Sequence, residues 1–215
     1  MDRSHQEISS TIIQVCRKVE AKGFVAATDG NISTRLENGN ILATPTSLNK
    51  GLVQIDDLVE VTLEGKQAGG KRNPSTEMQM HYFIYTHRLD VNAVVHCHPV
   101  YATGFAAAGK ALAQNIFPEV IVQFGKIPLA DYATPSTKEV GESLRPYIKD
   151  HDAILLSNHG VVTYGKDLWD AYYKMEKVEQ IAHMLFVAQT LGGAKQLNEK
   201  QVAALHELSK TVYKN

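Results

Sequence analysis

Ile8, Ile12, Ile13, Val15, Cys16 and Val19 recur at the spacing of one helix face, and Gly23 after Lys22 supplies a stop, so the chain is expected to open with a helix. Asp29-Gly30-Asn31 is a turn signal. Ile32 to Leu36 then alternates, and Glu37-Asn38-Gly39-Asn40 before Ile41-Leu42-Ala43 predicts a hairpin. Leu58 to Leu63 with Glu64-Gly65-Lys66 adds a further strand and return. After a loop, Ser75 is placed to cap a helix that carries Met78, Tyr82 and Tyr85 inward through about Thr86. Val91 to His98 reads as a strand, Tyr101 to Ala108 as a small-residue helix, Glu119 to Pro128 and Ala153 to Ser157 as strands, and Thr137 to Lys149 as a helix between them. The longest helix is Asp167 to Leu191: Leu168, Ala171, Tyr172, Met175, Val178, Ile181, Ala182, Leu185 and Ala188 keep the helical period before Gly192-Gly193 ends it. Because several strands are joined by hairpins rather than crossover helices, the pattern favours an α+β fold, a mixed or largely antiparallel sheet layered by helices, over a doubly wound parallel one.

Composition narrows the class without choosing the chemistry. A chain of 215 residues, 44% hydrophobic, can bury one sizeable core, and one domain over residues 1–215 is expected. Lys plus Arg number 22 against 23 Asp plus Glu, and a net charge of −1 offers no field for nucleic acid or an anionic membrane, so an anionic ligand must be caught locally. Cys16 sits in the first helix and Cys97 between two histidines, which is not a disulfide pattern, and a reducing cytoplasm suits them. Met1 to Ser10 is polar and charged, and no window approaches a membrane-spanning length, so neither secretion nor membrane insertion is expected.

The candidate chemistry centres on His96-Cys97-His98-Pro99. In a strand alternate side chains share a face, so His96 and His98 form a two-toothed clamp while Cys97 points the other way. His159, at the end of the apolar run Ala153-Ile154-Leu155-Leu156, would complete a three-histidine shell with an open position, as catalytic zinc uses. Neutral imidazoles suit Zn, Cu, Fe or Ni, and zinc is the expected metal. Pro74-Ser75-Thr76-Glu77 puts hydroxyls and free N–H groups at a helix start, where an anion such as phosphate can dock. Asp29-Gly30-Asn31-Ile32-Ser33 and Thr44-Pro45-Thr46-Ser47 are two further turns that can add donors, although turns of this kind also serve only to stabilise themselves. Glu77, turned toward the metal, would ligate it or move a proton at a carbon acidified by a metal-bound carbonyl; read alone, it is a solvated charge that suits the helix dipole.

Gly30-Asn31-Ile32-Ser33, Thr44-Pro45-Thr46, Pro74-Ser75-Thr76-Glu77, His96-Cys97-His98-Pro99 and Asn158-His159-Gly160 occur in the order seen in the class II aldolase/adducin family. The resemblance runs from about Glu7 to about Gly192 and is nearest the fuculose-phosphate aldolase branch. It implies an α/β/α-layered fold around a mostly antiparallel sheet and a homotetramer with active sites at subunit interfaces. It also implies Zn2+, with Mn2+ or Co2+ as alternatives, held by His96, His98 and His159, with Glu77 as a further ligand and as the catalytic acid/base. Asn31, Thr46, Ser75 and Thr76 map onto the family's phosphate-binding positions, and Ser47 stands where these aldolases commonly carry glycine. The implied reaction is reversible cleavage of a ketose 1-phosphate, similar to L-fuculose 1-phosphate or a 5-deoxypentulose 1-phosphate, to dihydroxyacetone phosphate and an aldehyde through a metal-stabilised enediolate. The family's interface tyrosine has no counterpart in Asn115-Ile116-Phe117-Pro118-Glu119. Glu119 is either the distal acid/base, as acids of this region are in related dehydratases, or a surface carboxylate. Tyr213 is either a tail tyrosine reaching a neighbouring site or part of a frayed end. A sugar-phosphate 4-epimerase, dehydratase or decarboxylase would use the same scaffold, and a noncatalytic adducin-like interaction protein would have no need of the three histidines and Glu77 converging.

Overall fold

In the computed structural model, which describes residues 3–212, the chain runs α1 (Arg3–Ala21), β1 (Asn31–Arg35), β2 (Ile41–Ala43), β3 (Val59–Val61), β4 (Gln67–Gly69), α2 (Met78–His87), β5 (Ala93–Cys97) and α3 (Val100–Ala107). It continues through α4 (Pro118–Gln123), β6 (Leu129–Ala130), α5 (Lys138–Ser143), β7 (Ala153–Leu156), β8 (Gly160–Gly165), α6 (Leu168–Thr190) and α7 (Glu199–Val212). The strands form one eight-stranded sheet in the order β4-β3-β2-β1-β5-β8-β7-β6. Every neighbouring pair is antiparallel except β6 with β7. The α+β class and the largely antiparallel sheet agree with the hydrophobic pattern.

Both faces of the sheet are covered. On one, Ile32, Val95, Cys97, Leu155 and Val161 pack against Ile12, Val15, Cys16 and Val19 of α1 and Tyr172, Met175 and Val178 of α6. On the other, Val94, Ile154, Val162 and Tyr164 meet Ile84 and Tyr85 of α2 and Val140 of α5. Strand β5 is buried over its whole length. A one-residue slip would exchange its faces and send the His96 imidazole into the apolar layer packed by α1 and α6, so the register that sets His96 opposite Asn31 on β1 and Val162 on β8 is strongly held.

Some expectations need correction. Residues 119–128 do not form a strand: Pro118 occupies the first turn of α4, and Val120, Ile121 and Phe124 bury one helical side, so the β-branched run was outweighed by a proline that pre-sets a helix start. The helix expected over 137–149 is regular only across Lys138–Ser143 and continues as turns. Ser75 lies two residues too early to be the cap of α2; Glu77 is the capping residue, and the Glu77 N–H donates to Ser75 Oγ at 3.3 Å. Strand β8 and helix α7 had no counterpart in the pattern. The long helix matches closely, with Asp167 capping it by accepting from the Asp170 N–H at 2.8 Å. Among the described residues, no helix is long and apolar enough to cross a membrane, and Cys16 and Cys97 are both free and buried.

Candidate functional site

His96 ends a central strand, His98 follows it, and His159 sits in the tight β7–β8 turn, where Asn158 takes the left-handed conformation at φ 56° and the His159 N–H donates to Leu156 O at 3.0 Å. The β5–β8 pairing therefore brings the turn beside the clamp. The ligand nitrogens of His96, His98 and His159 lie within 4.8 Å of one another. Their donor chemistry fits a divalent metal. His96 Nδ1 lies 2.9 Å from Val161 O, a contact that requires the proton on Nδ1 and leaves the Nε2 lone pair facing the cluster, 3.1 Å from His98 Nε2. Burial pushes His96 down to about 3, so its imidazole is neutral at pH 7. Burial also lowers His98, with the neighbouring His159 adding to the effect and Asp29 opposing it.

Glu77 stands beside this cluster. Its Oε1 is 3.0 Å from His159 Nε2 and its Oε2 3.5 Å from His96 Nε2, and Oε2 accepts from Asn31 Nδ2 at 2.6 Å. Burial alone would raise the carboxyl, but the His159 hydrogen bond, the positive charge that His96 and His159 carry when protonated and the Asn31 amide hold it well below the ordinary carboxylate range. Behind Asn31 runs a buried chain: His81 Nε2 lies 2.5 Å from Asn31 Oδ1, and Ser33 Oγ lies 2.6 Å from His81 Nδ1 and 2.8 Å from the Tyr85 hydroxyl. A carboxylate only accepts, so Asn31 must present its NH2 to Glu77 and its oxygen to His81. His81 then donates from Nε2 and accepts at Nδ1 from Ser33, which accepts from Tyr85. His81 was not among the residues singled out in the sequence. That it lies four residues after Glu77, on the same helix face, was the overlooked signal.

A recess of about 220 Å³ opens next to Glu77, lined among others by Asn31, Thr46, Ser47, Ser75, Thr76 and Ser136. All the residues expected to bind phosphate thus border one cavity. The two turns are joined directly: Pro45 bridges Pro74, and the Thr46 N–H donates to Asn73 O at 3.0 Å. Ser136 had not been anticipated; its hydroxyl lies 2.7 Å from Thr76 Oγ1. The sequence did carry a signal, because Thr134-Pro135-Ser136-Thr137 nearly repeats Thr44-Pro45-Thr46-Ser47. The non-glycine residues with positive φ among those described are Ala27 at 47°, Ser47 at 56°, Ser136 at 66° and Asn158 at 56°. Ser47 and Ser136 line the recess, Ala27 precedes its wall residue Thr28, and Asn158 precedes His159. Backbone strain is concentrated around the site, as it is at functional centres held by their surroundings.

Glu119 is exposed on the first turn of α4 and does not line the recess of its own chain. Tyr213 lies outside the described residues.

The fold has close counterparts. The family model described as Class II Aldolase and Adducin N-terminal domain matches residues 10–186. An L-fuculose phosphate aldolase of Methanococcus maripaludis is 36% identical over 180 residues, covering 83% of this chain and 96% of that one. A 3-oxo-tetronate 4-phosphate decarboxylase of Escherichia coli K12 is 30% identical over 186 residues, covering 85% and 87%. A solved L-fuculose 1-phosphate aldolase superposes with a TM-score of 0.87 at 26% identity, over 95% of this chain and 96% of that one. The family model, the relatives and the solved structure point to one class of protein. The chain belongs to the class II aldolase and adducin family.

Proposed function

We propose that this protein is a metal-dependent aldehyde-lyase that cleaves a ketose 1-phosphate reversibly to dihydroxyacetone phosphate and an aldehyde. The observation that carries this reading is the position of Glu77: an ionised carboxylate 3.0 Å from His159, bordering a hydroxyl-lined recess of about 220 Å³. His96, His98 and His159 would hold the metal, with Glu77 as a further ligand in the resting site, and the donor set favours zinc. When bound, such a metal supplies Lewis-acid polarisation of a substrate carbonyl oxygen. Glu77 moves the proton at the carbon next to that carbonyl, and Asn31 holds its carboxylate in place through Oε2. Asn31, Thr46, Ser47, Ser75 and Thr76 grip the phosphate, so that binding energy from the unreactive end positions the breaking bond at Glu77. Glu119 and Tyr213, each from an adjoining subunit of a homotetramer, are assigned to proton transfer at the far end of the substrate. Exposed Val100, Phe186, Val187 and Leu191 offer apolar surface for such an assembly. Two free buried thiols suit a cytoplasmic setting.

A second reading has support of its own in the 30% identical decarboxylase relative: loss of carbon dioxide from a 3-oxo acid phosphate needs the same carbonyl polarisation and the same anion grip. An epimerase or dehydratase would differ at the distal acid. The deciding experiment assays metal-loaded and chelator-treated protein for dihydroxyacetone phosphate release from ketose 1-phosphates, and for carbon dioxide release from 3-oxo-tetronate 4-phosphate. Metal-dependent triose phosphate release supports the aldolase. Carbon dioxide release without it replaces the aldolase with the second reading.

A further inference from the structure

Lys50 is 1% exposed and belongs to no motif described above. It starts the short 3-10 turn Lys50–Leu52, three residues after Ser47, and its side chain turns back to the backbone of Thr28 and Leu48. Its Nζ donates to Thr28 O at 2.9 Å and to Leu48 O at 2.8 Å. The preceding Asn49 reinforces the grip, its Nδ2 donating to Ala27 O at 2.8 Å while its Oδ1 accepts from the Gly51 N–H at 2.9 Å. Thr28 is a wall residue of the anion recess and Leu48 follows two more, Thr46 and Ser47, so one ammonium ties the recess's two sequence-distant turns together. Ala27, the residue next to this clasp, is held in the left-handed region at φ 47°.

A buried ammonium is normally matched by a carboxylate, because two carbonyl dipoles do not replace a hydration shell. Among the described residues Lys50 makes no salt bridge, and its third N–H finds no acceptor. The recess above it is lined by no lysine or arginine at all. A buried cation outside any salt bridge thus lies next to a recess that has no lysine or arginine of its own and whose lining includes the carboxylates of Asp29 and Glu77. We propose that Lys50 is the positioning residue and charge floor of the anion recess: it locks the 27–31 and 45–48 turns into register and supplies the positive potential that a bound phosphate group neutralises. Burial lowers the Lys50 ammonium while Cys16, Cys97, Asp29 and Glu77 raise it, so an arriving dianion strengthens the charged form.

The inference rests on the recess being the phosphate site, and the test separates the two. Metal-loaded wild type, Lys50→Met and Ser75→Ala are titrated with inorganic phosphate by calorimetry, and KM and kcat are measured on the phosphorylated substrate that the wild type turns over. Lys50→Met should bind phosphate about tenfold more weakly and raise KM by a similar factor with kcat nearly retained, since the charge acts on binding from below rather than on the reacting carbon. Ser75→Ala should weaken phosphate binding as well. Weakening in Ser75→Ala alone overturns the role of Lys50 and leaves the recess intact as the phosphate site; wild-type binding in both variants removes the recess reading itself and the proposal with it. Should Lys50→Met fail to fold, Lys50→Arg and Lys50→Gln repeat the comparison, with retained binding expected only for arginine. Lysine-ε 13C spectra of the wild type require no substitution: the buried Lys50 resonance must shift on adding phosphate, and a spectrum that does not respond overturns the proposal.

Discussion

His81 Nε2 lies 2.5 Å from Asn31 Oδ1, and that contact holds from behind the Asn31 amide whose NH2 faces Glu77. Without it the amide is held from the Glu77 side alone and can swing out of line with the carboxylate. His81→Phe should therefore lower kcat by about 10- to 100-fold while metal content stays near that of the wild type, the range seen when groups that orient a site are lost. His81→Gln, whose side-chain amide still donates, should recover part of the loss. Metal analysis with steady-state kinetics checks this, and an unimpaired His81→Phe enzyme would show that Asn31 needs no support.

The same residue sets an acid limit on stability. Burial holds His81 down to about 4, against an ordinary value of 6.5. Between these values the unfolded chain binds a proton that the folded chain does not, so ΔG of unfolding falls as pH drops from 6.5 toward 4, by roughly 1.4 kcal/mol per pH unit for this one group. Urea melts at pH 7, 6 and 5 should give falling midpoints, and the fall should be shallower in His81→Gln. Parallel slopes in the two proteins would mean that other groups set the acid limb.

Gly160 begins β8 against the metal clamp. A Cβ there would come within 2.5 Å of His98 Cδ2 and 2.6 Å of Cys97 O. By strand propensity alone an alanine should help, since glycine costs roughly 0.5–1 kcal/mol in a strand interior. The crowding is larger, because neither the backbone oxygen nor a ring already packed among the other histidines can withdraw. Gly160→Ala should fold with the native circular dichroism yet retain only a small fraction of the wild-type metal, measured by atomic emission. Full metal occupancy in that variant would show that the turn yields instead.

The legible parts of this molecule were those written in short periods or in rigid residue types. The period of 3.6 located α1 and α6, and the His-x-His alternation put His96 and His98 on one face, because a strand buried throughout cannot choose otherwise. What failed was either ambiguous in the local pattern or decided by partners distant in sequence. Val120 and Ile121 suit a strand as well as a helix, and the first-turn proline tipped the balance. Strand β8, six buried residues reading Gly-Val-Val-Thr-Tyr-Gly, carries no alternation because both its faces are covered. Ser136 joined the site through a contact with Thr76 sixty positions away, which only the folded sheet reveals.

Ser136 also carries a test of whether the strain around the recess serves binding. Its φ of 66° suits glycine better than any residue with a Cβ, yet a serine stands there with its hydroxyl 2.7 Å from Thr76 Oγ1. Ser136→Gly and Ser136→Ala both lose that hydroxyl, but only alanine keeps the left-handed strain. The glycine variant should be the more stable of the two by about 1 kcal/mol in urea melts. If the hydroxyl contributes to holding phosphate, KM for the phosphorylated substrate should rise in both variants by a similar factor, several-fold for one neutral hydrogen bond. A raised KM in alanine alone would assign the effect to the loop's shape, and an unchanged KM in both would leave Ser136 as a brace for Thr76.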